Sequence, residues 1–328
     1  MYRFFTVMLL LSSFVIAFAQ VEIKFASLAP DGSAWMKEMR AIAVEVREQT
    51  SGKVTFKFYP GGVQGDETDM LRKIRIGQLH AAGFTGNGLG EVLPACRVLE
   101  VPFLFLNEGE VDTAVAAVEA DLRSGFEENG FILLGWADVG FVHFFSRDRI
   151  QTAADLNGKK VWMWQGDPLA RALFKSLNVI PIPLPVPDVL TALQTGMIDV
   201  VYASPLAAIA LQWHTRTRFV TEQPVTYASG AVLLSKKTFD KLTAEQQQVL
   251  LAVTARRLRA LTLQSRRDNS SAFTALKAAG LRVTPFASES ELNKMTEIGI
   301  RTRNQLVGTL YPRELLSKVE TAVRRYRE

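Results

Sequence analysis

The chain has 328 residues, of which 48% are hydrophobic and 22% charged, which is typical of a well-packed globular protein with one large or two smaller domains. Its net charge of +5 makes it mildly basic. Because Cys96 is its single cysteine, an internal disulfide is excluded.

The first twenty residues, MYRFFTVMLLLSSFVIAFAQ, have the pattern of a secretory signal peptide. Arg3 is followed by an apolar run and by the small-x-small site Ala17-Phe18-Ala19. We therefore predict a signal peptide over 1–19 and a mature chain that begins at Gln20. An uncleaved membrane anchor is the alternative, but the apolar run is shorter than the ~20 residues that a membrane span needs.

Strands and helices alternate through the first part of the mature chain. Alternating apolar residues predict strands at 21–27 and 54–58, and a short apolar run predicts a third at 79–84. Between them, helical spacing of apolar residues predicts a helix over 67–76. This alternation indicates an α/β domain with a largely parallel sheet.

The glycine-rich segment GFTGNGLG, residues 83–90, lacks the dinucleotide-binding spacing, and no acidic partner follows at the required distance. It is instead predicted to be a glycine turn at a domain cleft.

The stretch 155–205 predicts the centre of the fold. A short strand over 161–164 is followed by a helix that begins at Asp167-Pro168, where aspartate can cap and proline suits the first helical position. A proline-rich extended segment, a second helix over 188–195 and a strand over 197–202 complete a βαβ-type unit. Ligands in such sheets lie beyond the carboxyl ends of the strands, here near 162–165 and 202–204.

A capping box at 243–246 begins a helical pattern that continues to Ala279. At 1.5 Å per residue the helix is roughly 54 Å long, more than one small domain, so we expect it to support two lobes. The predicted division places 20–140 and 228–267 in lobe I, and 141–227 and 268–328 in lobe II.

Basic residues cluster near the C-terminus: Arg301, Arg303, Arg313, Lys318, Arg324, Arg325 and Arg327. A solvated helical face is the favoured interpretation, ahead of an acidic partner or membrane headgroups, and a nucleic-acid site is not expected.

No motif for catalysis or metal binding is present. The three histidines form no HExxH, the single cysteine has no second cysteine to pair with, and there is no G-x-S-x-G elbow. The chain is therefore predicted not to be an enzyme and to carry no metal or cofactor. A small-molecule receptor and a protein that mainly docks others remain as the competing classes.

Five segments of the chain resemble the DctP family, the solute-binding subunits of tripartite ATP-independent periplasmic (TRAP) transporters. They are REQTSGKVTFKFYPGG (47–62), IGQLHA (76–81), VPFLF (101–105), DLNGKKV (155–161) and TALQTGMID (191–199). The resemblance implies an α/β, two-lobed periplasmic binding protein fold with a long helix spanning both lobes. It also implies a periplasmic location, closure on a ligand and a TRAP membrane permease as partner.

Three positions depart from the family pattern. The resemblance places Trp162 and Val142 where relatives carry arginines, the first of which clamps a substrate carboxylate, and Ala203 at or beside a family asparagine. Losing these anchors favours a hydrophobic ligand and likens the chain to the subgroup that works with a tetratricopeptide-repeat lipoprotein. The alternatives are an organic acid bound through non-standard contacts, or a main role as docking partner of such a repeat protein.

Arg171 could replace the lost arginine clamp, although a surface role is favoured. The predicted ligand-binding residues are therefore Trp162, Val142, Ala203, Tyr202, Trp164, Phe141, His143, Gln165 and Trp213. Trp162 and Tyr202 are the leading candidates, and His143 or Gln165 is expected near one polar end of the ligand.

Overall fold

The computed structural model describes residues 20–328, so the predicted signal peptide lies outside the described residues. The strands are β1 (Val21–Ala26), β2 (Val54–Tyr59), β3 (Ala81–Thr85), β4 (Phe131–Trp136), β5 (Gly140–Ser146), β6 (Trp162–Trp164), β7 (Ile182–Leu184), β8 (Val200–Ala203), β9 (Phe219–Thr221), β10 (Thr226–Ala228), β11 (Gly230–Ser235) and β12 (Arg282–Thr284). The helices are α1 (Ala34–Gln49), α2 (Glu67–Arg75), α3 (Gly86–Val92), α4 (Glu108–Glu128), α5 (Pro168–Ser176), α6 (Val189–Thr195), α7 (Pro205–Ala210), α8 (Lys236–Phe239), α9 (Ala244–Ala278), α10 (Glu289–Gln305) and α11 (Arg313–Arg327).

Lobe I is built on a five-stranded sheet in the order β2-β1-β3-β11-β4. β1 is parallel to β2 and β3, and β11 is antiparallel to β3 and β4. Side chains of β11 alternate between two cores: Val232 and Leu234 pack with α1 and α9, whereas Leu233 packs with α2, α4 and α11. Because both faces are covered, the strand is an almost continuous apolar run.

Lobe II is centred on β5, which pairs antiparallel with β8 on one side and with β9 and β10 on the other. β12 adds parallel to β9, and the parallel pair β6-β7 joins β8 through a bridge between Val161 and Val200. This arrangement places the carboxyl ends of β6 and β8 beside each other.

The predicted long helix is present as α9. Thr243 and Gln246 form its capping box, and the helix contacts α1 and β4 of lobe I and α7 and β5 of lobe II. Asn269 lies where the helix passes between the lobes: it donates to the Val139 carbonyl at 2.9 Å and accepts from the Leu206 N–H at 3.0 Å.

The C-terminal helices divide between the lobes, which corrects part of the predicted division. α10 packs against α5 of lobe II, but α11 packs against α4 and adds Leu316 and Val319 to the core of lobe I. The physical reason is the amphipathic pattern of α11, whose buried face requires a partner that α4 provides. Residues 313–327 therefore go with lobe I rather than lobe II, and the other boundaries stay a prediction.

The basic C-terminal cluster is partly neutralised by lobe I itself. Lys318 pairs with Asp121 at 2.6 Å, and Arg327 pairs with Glu110 at 2.9 Å. Among residues 20–328, no helix combines the length and the apolar character needed to cross a membrane.

Candidate ligand-binding cleft

A cavity of about 370 Å³ lies between the two lobes. Lobe I lines it with the end of β1, the β3–α3 junction and the segment around Arg97, and lobe II lines it with β6, α5, β8 and α7. Most of the lining side chains are apolar. A cavity of this volume and character suits a small-molecule ligand.

Four aromatic residues, Trp162, Trp164, Tyr202 and Trp213, form what we call the aromatic wall of the cavity. The ring of Trp162 stacks on that of Tyr202 with centroids 4.6 Å apart, and it meets Trp213 edge-on at 5.1 Å. The neighbouring strand ends of β6 and β8 bring these rings together. Such aromatic pairs stabilise one another beyond their buried area, so the wall is a packed unit.

The side-chain polar atoms of Trp162, Trp164 and Tyr202 are engaged within the protein. The Trp162 Nε1–H donates to the Leu184 carbonyl at 3.0 Å, and the Trp164 Nε1–H donates to Asp66 at 2.8 Å. The Tyr202 hydroxyl accepts from the backbone N–H of Trp164 at 3.0 Å. Burial raises the pKa of Tyr202, so its hydroxyl stays neutral. The wall therefore offers a ligand mainly apolar surface.

Three buried charges, Arg97, Glu100 and Asp167, form the charged cluster of the cavity. Arg97 Nε lies 3.0 Å from Glu100 Oε2, and Arg97 Nη2 lies 3.0 Å from Asp167 Oδ2. The arginine side chain is only 3% exposed. Burial disfavours its charge, but the two carboxylates outweigh that effect and raise the pKa of Arg97, so it remains a cation. Burial raises the pKa of Glu100, and the nearby Asp167 carboxylate adds to the rise, whereas Arg97 and Ser229 oppose it.

Glu67, the first residue of α2, is a further buried carboxylate of the cavity lining. It accepts from the Thr85 N–H and from the Gly88 N–H, both at 2.7 Å. Burial raises its pKa from the ordinary 4.5 to about 8. Nearby Asn87 also lines the cavity and is 5% exposed, and its Nδ2 has no hydrogen-bond partner.

The glycine-rich segment 83–90 is not the turn that the sequence predicted. It forms the end of β3 and most of α3. Its glycines leave room for the charged cluster: a Cβ on Gly86 would lie 2.0 Å from Glu100 Oε2, and a Cβ on Gly90 would lie 2.9 Å from Arg97 Cδ. Close packing, rather than a reversal of the chain, explains these two glycines.

Six of the nine predicted binding residues line the cavity: Trp162, Val142, Ala203, Tyr202, Trp164 and Trp213. Ligand contact at these positions stays a prediction. They come from β5, β6, β8 and the turn that follows α7, so the structure brings together the two strand ends that the sequence singled out.

The structure places the other three predicted residues away from the cavity. Phe141 and His143 lie on the opposite face of β5 from Val142 and line a separate recess, because successive side chains of a strand point to opposite faces. His143 contacts the Thr221 carbonyl at 2.9 Å through Nδ1, and burial lowers its pKa to about 4, so the ring is neutral at pH 7. Gln165 is exposed. The expectation of a polar ligand end near His143 or Gln165 is therefore corrected.

The charged cluster and Glu67 were missed by sequence reasoning. Asp167 was identified only as a helix cap, a role it does fill, since it accepts from the Leu169 N–H at 2.8 Å. A signal was nevertheless available: Arg97 and Glu100 interrupt an otherwise apolar segment, 93–106. Charged residues in such a segment are seldom buried without a partner.

Comparison with known proteins identifies a family that the chain matches. Residues 25–302 match the family model of DctP, described as bacterial extracellular solute-binding protein, family 7. A solute-binding protein of Verminephrobacter eiseniae is 26% identical over 245 residues, which cover 74% of this chain and 72% of the relative.

Solved structures share the two-lobed fold. A Bordetella pertussis extracytoplasmic solute receptor binding pyroglutamic acid superposes with a TM-score of 0.85 at 18% identity, covering 92% of this chain and 99% of that one. A TRAP periplasmic solute-binding protein of Xanthobacter autotrophicus with bound β-D-galacturonate superposes with a TM-score of 0.85 at 20% identity, and the coverage of both chains is the same. The predicted fold class is thereby confirmed. Since the family model covers most of the chain, the chain belongs to the DctP family of bacterial extracellular solute-binding proteins.

Proposed function

We propose that the chain is the periplasmic solute-binding subunit of a TRAP-type secondary transporter and that it captures a mainly hydrophobic small molecule between its lobes. Membership of the family supports the first part. The second part concerns the ligand class and depends on the chemistry of the cavity.

The pairing of Arg97 is the observation that carries the ligand class. Five Asp, Glu, Lys, Arg or His residues are found among the described residues that line the cavity: Glu67, Arg97, Glu100, Asp138 and Asp167. Arg97 is the single cation among them, and two carboxylates already hold it. A carboxylate ligand would be buried without a free cation, which costs several kcal/mol.

The aromatic wall supports the same ligand class, because it favours an apolar ligand, whereas the pairing of Arg97 disfavours an acid. An apolar ligand laid against it gains about 25 cal/mol for each Å² removed from water, and no charged group is desolvated. The two relatives of known structure described above contain acids. By resemblance, such relatives carry an arginine where this chain has Trp162, whose indole cannot balance a carboxylate. We therefore infer that the ligand of this chain differs in class from those two acids.

The proposed partners are the membrane permease subunits of a TRAP transporter. A tetratricopeptide-repeat lipoprotein is a further proposed partner, because the resemblance likens this chain to the subgroup that uses one. Co-purification from membranes with and without such a lipoprotein tests this point. N-terminal sequencing tests the periplasmic location, since the mature protein is expected to begin at Gln20.

Mass spectrometry of organic extracts of the purified protein is the direct test of ligand class. We expect an elongated, mainly apolar compound. Calorimetry with 1-decanol, decanoate and galacturonate then compares head groups, and 1-decanol is expected to bind most tightly. Tighter binding of galacturonate or decanoate to the unmodified protein would overturn the proposed ligand class.

A further inference from the structure

We infer that Asp167 decides which ligand charge the cleft accepts, because it occupies, from within the protein, the place beside Arg97 that an acidic ligand would need. The inference rests on the proposed function, since it concerns the ligand of the same cleft. It assigns to Asp167 a specificity role in addition to its role as a helix cap.

The position of the Asp167 carboxylate is fixed by its own helix. Oδ1 accepts from the N–H groups of Leu169 at 2.8 Å and Ala170 at 3.2 Å, which are the first turn of α5. Oδ2 is left to face Arg97 Nη2 at 3.0 Å. A carboxylate held in this way loses little side-chain freedom on pairing, so it competes well with a mobile ligand for the same guanidinium.

The other side of Arg97 is also occupied. Glu100 Oε2 lies 3.0 Å from Arg97 Nε as an ion pair, although the geometry does not make this contact a hydrogen bond. Glu100 is itself held by the Ser229 N–H at 2.7 Å and the Ser229 hydroxyl at 2.8 Å. The arginine stem also packs close to Gly90, where an added Cβ would lie 2.9 Å from Arg97 Cδ. The charge of the guanidinium is therefore balanced by the protein's own acids.

The cluster holds two carboxylates against one guanidinium. Glu67 also lines the cavity, but burial raises its pKa to about 8, so it is largely protonated at pH 7 and supplies no cation either. An incoming carboxylate would meet an excess of acidic groups rather than a free cation. Repulsion of like charges in such a desolvated site suppresses the wrong ligand as effectively as good contacts favour the right one. Asp167 is the member of the cluster whose neutralisation changes this balance most simply, because an uncharged cap residue can replace it.

The pair also crosses the cleft. Arg97 belongs to lobe I and Asp167 begins α5 of lobe II, so their contact joins the lobes at the edge of the cavity. In this arrangement Arg97 of lobe I is linked to lobe II by the carboxylate of Asp167 rather than by a carboxylate of the ligand. The ligand is left to fill the apolar part of the cavity beside the aromatic wall.

The test uses two probes with the same chain and different head groups, 1-decanol and decanoate. Asp167→Asn and Asp167→Ser both keep an oxygen that can cap α5 but remove the charge. The matched control is Asp188→Asn, because Asp188 is an exposed aspartate that directly precedes a helix of the same lobe and makes no side-chain cap bond. Circular dichroism identifies the variants that fold, and calorimetry gives both affinities.

We expect the affinity for decanoate relative to 1-decanol to rise by about tenfold or more in a folded Asp167 variant. In Asp188→Asn it should stay within about twofold of the unmodified protein. A folded Asp167 variant whose ratio stays within about twofold would overturn the inference and leave the proposed ligand class intact. That class fails separately, if the unmodified protein already prefers decanoate.

Discussion

The aromatic wall and the charged cluster face the same cavity but are stabilised in different ways. The aromatic wall consists of ring contacts and of indole N–H groups that bond to Leu184 and Asp66. The charged cluster consists of two buried carboxylates that share one buried cation, Arg97. Side chains of the wall can therefore be trimmed one at a time, at a cost in contact area, whereas removal of Arg97 leaves both carboxylates of the cluster buried without a cation.

Arg97→Ala should show the largest effect of any single change in the cavity. It leaves Glu100 and Asp167 buried without a cation, so the free energy of unfolding should fall by about 3–5 kcal/mol. Urea unfolding measures the change. Arg72→Ala is the control, because Arg72 pairs with Asp69 at the surface, where such pairs contribute at most about 1 kcal/mol. If both variants lost the same unfolding free energy, the charged cluster would depend on its cation no more than a surface ion pair does.

Trp162→Ala should weaken 1-decanol binding by roughly 2 kcal/mol, the scale of a lost aromatic contact. Calorimetry on the folded variant provides the measurement. Trp136→Ala is a matched control, since Trp136 packs on Phe126 and does not line the cavity. If both tryptophan variants lose affinity equally, the wall is not the ligand surface.

Glu67 adds a pH dependence that the aromatic wall lacks. Because burial raises its pKa to about 8, the folded chain holds this proton more tightly than the unfolded chain. The contribution of Glu67 to the free energy of unfolding is fully present below the unfolded pKa of about 4, and it is lost as the pH rises towards 8. Between pH 6 and 7 the loss should be about 1 kcal/mol.

Glu67→Gln should remove this slope, measured as the unfolding free energy at pH 6 and pH 7. Glu91→Gln is the control, because Glu91 is exposed and directly follows the glycine-rich segment 83–90. It should leave the pH dependence of the unfolding free energy as it is in the unmodified protein. A slope that persists in Glu67→Gln would assign it to another group.

Gln165→Ala should have the smallest effect. Gln165 follows directly after the wall residue Trp164 but is exposed and lies outside the cavity. Its removal should change 1-decanol affinity by less than about 0.5 kcal/mol. A tenfold loss in calorimetry would extend the binding surface beyond the wall and restore the original prediction for this residue.

Much of the fold could be predicted because the signals were local. Apolar alternation marks β1 and β2, and the capping box at Thr243 marks the start of α9. The return of α11 to lobe I could not be predicted, since an amphipathic helix shows that it has a buried face but not which surface it meets.

The site was predictable on the aromatic side and not on the charged side. Trp162 and Tyr202 follow from strand ends, which are local features. Arg97 and Asp167 are 70 residues apart, and no local rule pairs them. His143 does not line the cavity, and the sequence contains the reason: because Val142 faces the cavity, the two-residue period of a strand places His143 on the other face.

The return of the chain to lobe I determines how the protein can be attached to a surface. β1 and α11, the first and last elements of the described residues, both belong to lobe I, and Arg327 is held there by Glu110 and by the Leu104 carbonyl at 2.7 Å. Immobilisation through either end of the described chain therefore attaches lobe I to the surface and leaves lobe II unattached. If the lobes close on a ligand, as the resemblance implies, a sensor built in this way reports the movement of lobe II relative to a fixed lobe I, provided that a spacer keeps the C-terminal fusion clear of Arg327.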